Sequence, residues 1–585
     1  MKAHNRLFRT PMLCLIMCAV LLTGCAAKNE QAGAPEAPQE QTAEKAPEAG
    51  TAQNGEKDAD AGKDAAAETE PAAEDAEAPA GLPEVLILQK DRNEYDEKYD
   101  VLLYSGHFEG VALSEQSKVS WPALYDALQK DWEEDLKTYE NSVLSLTEES
   151  AEQYRSMRQD DPNTEYSIHY EDRYSADVTR VDDKVFSWSS EFYFYYGGAH
   201  GMYGNSGRSY DVKTGKRLNL SEVITDGKAF GQLLFDKVSV EYPDVVDYLE
   251  DKDSLRDQIV EEVLKDPENW ALEPFGIDYF FNPYDIAAYA AGEQIIHIDY
   301  EEAPELFAKD YLPDPQEKVI HGVPNGRDVY LDADGDGKTD HITIDINYGD
   351  WDEEQEDYTS LGISAFVGGG QECELVTYYY VEDIKTRVAS FATGEQYLII
   401  TCLADYTFRQ MIVCSVGDGY VNVEGEYGLR QKSLYNPEDL EIYGDYELID
   451  PDRLLFTERF DRLATFFAEG EYTITDKGAI EPVNEYALVS EDAQEYLKLT
   501  SAAELTVEIV DEEGNTVKEE ETLPAGTVYT LYRTNYEDEI EGVPVDCLLE
   551  DGRIARLSYK VTGETGNMVC NVNEQEAFKE LLYAD

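Results

Sequence analysis

Residues 26–81 contain no Val, Ile, Leu, Met, Cys or aromatic residue and are dominated by Ala, Glu, Pro, Gln, Gly, Asp and Lys. A segment without apolar side chains cannot bury enough surface to offset the entropy lost on folding. We therefore expect residues 25–81 to be a disordered Ala/Glu/Pro-rich tether, with folded structure beginning near Leu82. The full length of 585 residues suggests about three or four domains.

The charge of the chain restricts its partners. There are 124 acidic against 47 basic residues, which gives a formal net charge of −77. Nucleic acid is bound through clustered Lys and Arg, so a nucleic-acid partner is not expected. Anionic lipid headgroups would also repel such a surface. A basic partner or a cation fits this charge best.

The N-terminus predicts export and anchoring. Lys2, Arg6 and Arg9 precede an apolar run over residues 12–22, which is too short to span a bilayer and is typical of a secretory signal. The run ends in Leu-Thr-Gly-Cys at residues 22–25, which resembles the lipobox of bacterial lipoproteins. That resemblance implies removal of residues 1–24 and acylation of Cys25, and hence a lipid anchor at the extracytoplasmic face of the cell membrane. The alternative is an ordinary signal peptide with a chance cysteine.

The first folded domain is predicted over residues 82–313 as an α+β unit. Pro122 in a first turn, followed by Leu124, Leu128, Trp132 and Leu136 at a spacing of four, predicts a helix with one apolar face. Alternating apolar and polar residues, as in 185–195, predict strands of an antiparallel sheet.

Two motifs in this domain resemble a known family. Residues 195–201 read Tyr-Tyr-Gly-Gly-Ala-His-Gly, and residues 280–287 read Phe-Phe-Asn-Pro-Tyr-Asp-Ile-Ala, followed by Ala-Ala-Gly at 290–292. They resemble the extracytoplasmic domain shared by RsiV anti-sigma factors and PdaC peptidoglycan deacetylases. The resemblance implies an extracytoplasmic domain that in one member binds lysozyme. A sigma-binding segment, a spanning helix and a deacetylase domain are not recognisable here, so neither named activity carries over.

The glycine-rich motif supplies the candidate ligand-binding residues. Its glycines permit a sharp loop that offers rings to a protein or a glycan, and we select four side chains: Tyr195, Tyr196, His200 and Tyr203. The alternative is a fold-defining turn whose histidine is hydrogen-bonded to the core.

A second domain is predicted over residues 319–475 and contains an acidic loop. Carboxylates at relative positions 1, 3, 5 and 9, a glycine at 6 and a backbone carbonyl at 7 can surround Ca²⁺, and these ligands are Asp332, Asp334, Asp336, Asp340 and the carbonyl of Lys338. Thr343 replaces the glutamate that an EF-hand requires, and the flanks read as strands. The loop resembles the Asp-x-Asp-Gly-Asp-Gly calcium loops of integrin-type repeats, which implies a structural calcium ion. The alternative is a metal-free acidic turn.

The C-terminal half is predicted to be mainly β. The second domain is expected to be a sandwich or propeller-like, and residues 481–585 a small β-barrel. Five cysteines remain after Cys25; Cys547 and Cys570 could form a disulfide or stay as thiols.

Local catalytic motifs are absent from the sequence. No two histidines lie closer than His321 and His341, so a local zinc motif such as His-Glu-x-x-His is absent. Neither a Gly-x-Ser-x-Gly motif nor a glycine-rich phosphate loop occurs. We therefore predict a non-catalytic, lipid-anchored binding protein that engages a lysozyme-like basic protein or a cell-wall glycan. The alternatives are a wall-active hydrolase or deacetylase whose site is assembled across domains, and an accessory surface lipoprotein.

Overall fold

The protein is mostly β, with several separate sheets. The structure, a computed structural model, describes residues 81–162, 169–247, 251–265, 267–314, 318–332, 339–348, 351–352, 357–358, 361–368, 372–378, 381–404, 408–417, 419–435, 441–536, 542–562, 566–579, 581 and 583. Cys25 and the predicted tether lie outside the described residues. Within the described part, no helix combines the length and the apolar character that crossing a bilayer requires.

The N-terminal sheet is built around one long helix. Its strands are β1 (Val85–Asp96), β2 (Val101–Leu113), β3 (Tyr170–Tyr174), β4 (Asp177–Val181), β5 (Val185–Tyr195), β6 (Met202–Asp211) and β7 (Lys216–Arg217), and α1 (Pro122–Asp160) connects β2 to β3. Because β2 and β3 are parallel, the chain needs this crossover helix. The predicted apolar stripe of α1 packs on the core: Leu124, Leu128 and Trp132 are buried, and Leu136 is half-buried against the part of the core that contains Trp132.

A helical layer and a three-stranded sheet follow. The elements are α2 (Leu220–Val223), α3 (Gly227–Glu241), α4 (Pro243–Asp247), α5 (Lys252–Glu262), β8 (Trp270–Leu272), β9 (Gly276–Phe281) and β10 (Gln294–Asp299). Short 3₁₀ turns occupy Tyr289–Ala291, Pro304–Leu306 and Lys309–Tyr311. The Asp226 carboxylate caps α3 by accepting from the N–H groups of Lys228 and Ala229. One apolar core joins these helices to the sheet, so this part combines helices and strands as the α+β prediction expects.

The middle region contains two larger sheets that share a core. The strands are β11 (Lys318–Val323), β12 (Val329–Leu331), β13 (Asp340–Tyr348), β14 (Trp351–Asp352), β15 (Asp357–Tyr358), β16 (Leu361–Val367), β17 (Glu372–Tyr378), β18 (Val381–Phe391), β19 (Gln396–Ala404), β20 (Phe408–Gly417) and β21 (Tyr420–Tyr427). β11-β18-β19-β20-β21 form one sheet and β12-β13-β16-β17 another, while β14 and β15 pair separately. Buried residues of both sheets, such as Ile342 and Leu398, lie in one cluster, which is the packing that a sandwich requires.

The C-terminal region forms a thirteen-stranded sheet that is open. Its strands are β22 (Arg430–Gln431), β25 (Leu454–Asp461), β26 (Thr465–Ile474), β27 (Ile480–Pro482), β28 (Tyr486–Leu488), β29 (Lys498–Thr500), β30 (Leu505–Val510), β31 (Thr516–Leu523), β32 (Val528–Asn535), β33 (Val543–Leu549), β34 (Ile554–Lys560), β35 (Met568–Val569) and β36 (Val572–Asn573). Two one-turn helices, α6 (Glu491–Gln494) and α7 (Glu574–Ala577), accompany it. The described strands do not close into the predicted small barrel, since the sheet runs on through β28 into β26 and β25.

Two strands from the C-terminal half extend the N-terminal sheet. β23 (Ser433–Tyr435) pairs with β24 (Ile442–Tyr446), and β24 pairs antiparallel with β1, with Leu86 opposite Tyr446. Arg387 of β18 forms an ion pair with Glu447, directly after β24. The domain bounds 82–313, 319–475 and 481–585 stay predictions. The pairing of β24 with β1 joins residues of the second predicted domain to the sheet of the first.

Candidate functional site

The glycine-rich motif forms the connection of the β5–β6 hairpin. Gly197 has a φ of +77°, a conformation that side chains rarely adopt. A Cβ on Gly201 would lie 2.5 Å from the ring of Tyr193, so the close approach of loop and strand also requires glycine. His200, between these glycines, is exposed. The sequence therefore bends sharply and places the imidazole at the end of the hairpin.

The two sequence motifs meet in space at this loop. The His200 ring stacks on Tyr289, with ring centroids 3.8 Å apart and 21° between the planes. The Tyr289 hydroxyl donates to the Gly201 carbonyl at 2.8 Å. Tyr203 contacts Tyr289 edge-on, and Tyr284 lies against the same ring. We call His200, Tyr203, Tyr284 and Tyr289 the aromatic tip.

Asn282 fixes the distance between the motifs. Its side-chain oxygen accepts from the Asn205 N–H at 2.7 Å, and its amide donates to the Asn205 carbonyl at 3.0 Å. A Cβ on Gly204 would lie 2.4 Å from that oxygen, so glycine at 204 makes room for the asparagine. The Asn282 N–H in turn donates to the Asp285 carboxylate. The Asn-Pro-Tyr motif therefore holds the two segments of the aromatic tip together.

The four predicted ligand-binding residues do not form a single surface. His200 and Tyr203 belong to the aromatic tip, and the Tyr195 hydroxyl braces the loop by donating to the Gly198 carbonyl at 3.0 Å. Tyr196 stacks on Phe194 and donates to Asp172 at 2.5 Å, on the side of the sheet that carries α1. Burial, together with the bond to Asp172, raises the pKa of Tyr196 above its usual range.

The structure also contains a buried charged cluster that the sequence did not indicate. His297 Nδ1 lies 2.6 Å from Asp278 Oδ1, and Arg327 donates to the other Asp278 oxygen at 3.0 Å. A second Arg327 nitrogen donates to Asn205 Oδ1 at 2.8 Å. Burial alone would lower the pKa of His297, but Asp278 and Asp299 raise it to about 9. The cluster joins β9, β10 and the segment before β12, a long-range arrangement with no local spacing signal.

The cavity beside this cluster is small. It has a volume of about 20 Å³, and Glu273, Asp278, His297, His321 and Arg327 are among its lining residues. One water molecule needs roughly 10–15 Å³, so the cavity accommodates a single water rather than a sugar or a peptide. The charged cluster is thus best described as a buried structural network.

The predicted calcium loop is flanked by strands, as the sequence indicates. β12 ends at Leu331, which pairs with Asp340 at the start of β13. This register brings Asp332 and Asp340, the first and last predicted ligands, to the two ends of the loop. Asp334, Asp336 and Lys338 lie outside the described residues, and among the residues described no group of three His, Cys, Asp or Glu side chains could hold a metal. The calcium ion stays a prediction.

The cysteines of the C-terminal sheet are thiols. Cys547 is buried and Cys570 half-buried, and they do not form the disulfide that the sequence left open. Burial raises the pKa of both thiols, most strongly for Cys547, which keeps them protonated.

Two stretches of the chain match known protein families, and the candidate site draws residues from both. Residues 113–203 match the family described as deacetylase PdaC, and residues 226–301 match a family described as protein of unknown function DUF3298. The glycine-rich motif lies in the first stretch and the Asn-Pro-Tyr motif in the second. The predicted resemblance is therefore confirmed as the presence of these two domains.

Solved structures give a weaker similarity. A DUF3298-family protein from Bacteroides fragilis is 18% identical, with 39% of this chain and 96% of that chain covered and a TM-score of 0.31. A DUF3298-family protein from Pseudomonas aeruginosa is 16% identical, with 40% and 99% covered and a TM-score of 0.28. The search of curated proteins finds no match.

Proposed function

We propose that this chain is a non-catalytic, lipid-anchored binding protein of the extracytoplasmic face, and that its aromatic tip engages a basic, lysozyme-like protein. The observation that carries the proposal is the stack of the exposed His200 on the half-buried Tyr289, which two separate motifs assemble at the end of a hairpin. Aromatic side chains on a rigid loop are typical of the central contacts of protein interfaces. Tyr284, at 57% exposure, extends the stack into solvent.

The net charge supports a basic partner. With a formal charge of −77, the surface attracts cationic proteins over long range and accelerates their encounter. Salt screens this attraction, since the Debye length falls to about 8 Å at physiological ionic strength and to about 3 Å at molar salt. Capture of the partner should therefore weaken as salt is added.

The direct test is capture of purified lysozyme by the ectodomain. We expect Tyr284→Asn to lower the affinity by about tenfold or more, as loss of an exposed interface aromatic does. Asparagine is chosen because residue 284 has a φ of +80°, which Asn tolerates better than most residues. The matched control is Tyr496→Asn, since Tyr496 is 85% exposed and lies in the turn between α6 and β29. Equal capture by both variants, or capture that salt does not change, would contradict the proposal.

A wall glycan is the second candidate ligand, and a half-exposed row of rings favours it. Phe192, Phe194 and Tyr196 stack in sequence along one face of the hairpin, with centroids 6.2 and 5.1 Å apart. Flat aromatic faces of this kind also suit sugar rings. The matched PdaC description names a deacetylase, so turnover of acetylated peptidoglycan fragments by the purified ectodomain would replace the binding proposal with an enzymatic one.

A further inference from the structure

The face of the N-terminal sheet opposite α1 carries an open cleft on its first three strands. Six side chains define this open cleft: Asp91, Asn93, Ser105, His107, Glu171 and Arg173. Its volume is about 130 Å³, an order of magnitude above the roughly 10–15 Å³ that one water needs. We propose that the open cleft binds a neutral polysaccharide chain, lying across the strands, through polar side chains and flanking tyrosine rings.

The residues of the open cleft are aligned by strand register. Asp91 is opposite His107, His107 opposite Arg173, and Arg173 opposite Tyr193. Tyr193 is opposite Tyr203, which belongs to the aromatic tip. Since neighbouring strands are about 4.8 Å apart, this row of five positions extends about 19 Å. A second row runs beside it through Asn93, Ser105, Glu171 and Tyr195.

The charges of the open cleft are balanced within it. Asp91 lies 2.7 Å from His107 Nδ1, and Glu109 lies 3.3 Å from His107 Nε2. Glu171 is paired with Arg173, and Lys385 approaches Glu109 at 4.0 Å. Among the six side chains that define the cleft, the carboxylates of Asp91 and Glu171 face the imidazole of His107 and the guanidinium of Arg173, although the chain as a whole carries −77. A neutral ligand therefore complements this cleft better than a basic one.

Unused hydrogen-bonding groups point to a polar ligand. Asn93 and Ser105 are opposite one another on β1 and β2 and line the open cleft. Their side chains form no hydrogen bond with other described residues, so an amide and a hydroxyl are available to sugar hydroxyl or acetamido groups. Asp172 is committed elsewhere, since the hydroxyls of Tyr104 and Tyr196 donate to it.

Tyrosine rings bound the open cleft on both sides. Tyr443 of β24, at 37% exposure, donates to Asp91 at one end of the first row. Tyr193 and Tyr195 of β5 border the other side. Rings that flank a row of planar polar groups would stack on sugar rings while the polar groups fix their orientation. The row then leads directly to Tyr203, so an extended chain rather than a single sugar fits its length.

The test is isothermal titration calorimetry, in which a hexamer of N-acetylglucosamine is titrated into the ectodomain at low and at high salt. We expect binding that salt barely changes, and an affinity lowered by about tenfold or more in Asn93→Ala/Ser105→Ala, because two hydrogen bonds to the ligand are removed. The matched control is Thr506→Ala/Thr522→Ala, an exposed cross-strand pair in another sheet. It should bind like the parent chain.

Three outcomes would overturn the proposal. One is no binding of the hexamer, and the second is equal binding by all variants. The third is tighter, salt-sensitive binding of the deacetylated cationic hexamer, which would mark the cleft as an acidic surface only. Loss of lysozyme capture in Tyr284→Asn concerns the aromatic tip, so failure of the glycan proposal and failure of the proposed function are distinguishable.

Discussion

The imidazole of His297 lies flat on the phenol ring of Tyr330, with centroids 3.7 Å apart and 8° between the planes. His297 belongs to β10 in the three-stranded sheet and Tyr330 to β12 in the four-stranded sheet. The stack therefore connects the DUF3298-like stretch to the strand that leads into the acidic loop. A buried imidazolium between Asp278 and Asp299 is the charged element of this connection.

This arrangement predicts a pH dependence of stability. The pKa of His297 is raised to about 9, above the ordinary value of 6.5, so its stabilising contribution is fully present below pH 6.5 and is lost as the pH rises through 9. We expect the thermal midpoint to fall over that interval, and His297→Gln to remove this part of the fall. His321→Gln is the control, because burial lowers the pKa of His321 to about 4 and keeps it neutral there. An unchanged pH profile in His297→Gln would contradict the prediction.

Local features of the fold were predictable because their causes are local. The stripe of Leu124, Leu128 and Trp132 specifies α1, and the strands around the acidic loop follow from alternation next to turn residues. The pairing of β24 with β1 was not predictable, since Leu86 and Tyr446 are 360 positions apart and their register is set by packing. The same holds for the open C-terminal sheet: short alternating strands do not reveal whether a sheet closes.

The candidate site was predictable only in part. The two motifs indicated the hairpin loop and His200, but their meeting through Asn205 and Asn282 depends on tertiary structure. Tyr196, directly after β5, lies on the face of the sheet opposite Tyr195 because successive residues of an extended chain alternate between faces. A motif shows which aromatic residues are near one another in sequence, but not which face of a sheet each of them occupies.

We expect a side chain at Gly207 to destabilise the contact between β6 and β8. A Cβ on Gly207 would lie 2.2 Å from the backbone carbonyl oxygen of Trp270, and a backbone atom cannot move away cheaply. We expect Gly207→Ala to destabilise the fold by about 1–3 kcal/mol, measured by chemical unfolding. Gly428→Ala is the matched control, since a Cβ there meets nothing within 4 Å. Equal stability of the two variants would show that β6 and β8 are not this close.

The acidic loop predicts binding of calcium with a measurable gain in stability. At a calcium concentration ten times the Kd, ligand binding to the folded state alone contributes about 1.4 kcal/mol. The thermal midpoint should rise with calcium, fall again with a chelator, and lose this response in Asp334→Asn/Asp336→Asn. Asp551→Asn, in another Asp-Gly turn, should respond like the parent chain. A midpoint that calcium leaves unchanged would favour the metal-free turn.

The lipobox-like sequence that ends at Cys25 predicts a lipid anchor. Acyl chains contribute about 0.8 kcal/mol per buried CH₂, so a multiply acylated cysteine anchors a chain stably without a spanning helix. We expect the full-length protein, expressed in a lipoprotein-processing bacterium, to partition into the detergent phase and to incorporate labelled palmitate. Cys25→Ala should abolish both, whereas Cys18→Ala, inside the predicted signal, should retain both because that residue is removed on cleavage. Label that persists in Cys25→Ala would move the attachment elsewhere, and an uncleaved, unlabelled parent chain would exclude the lipoprotein interpretation.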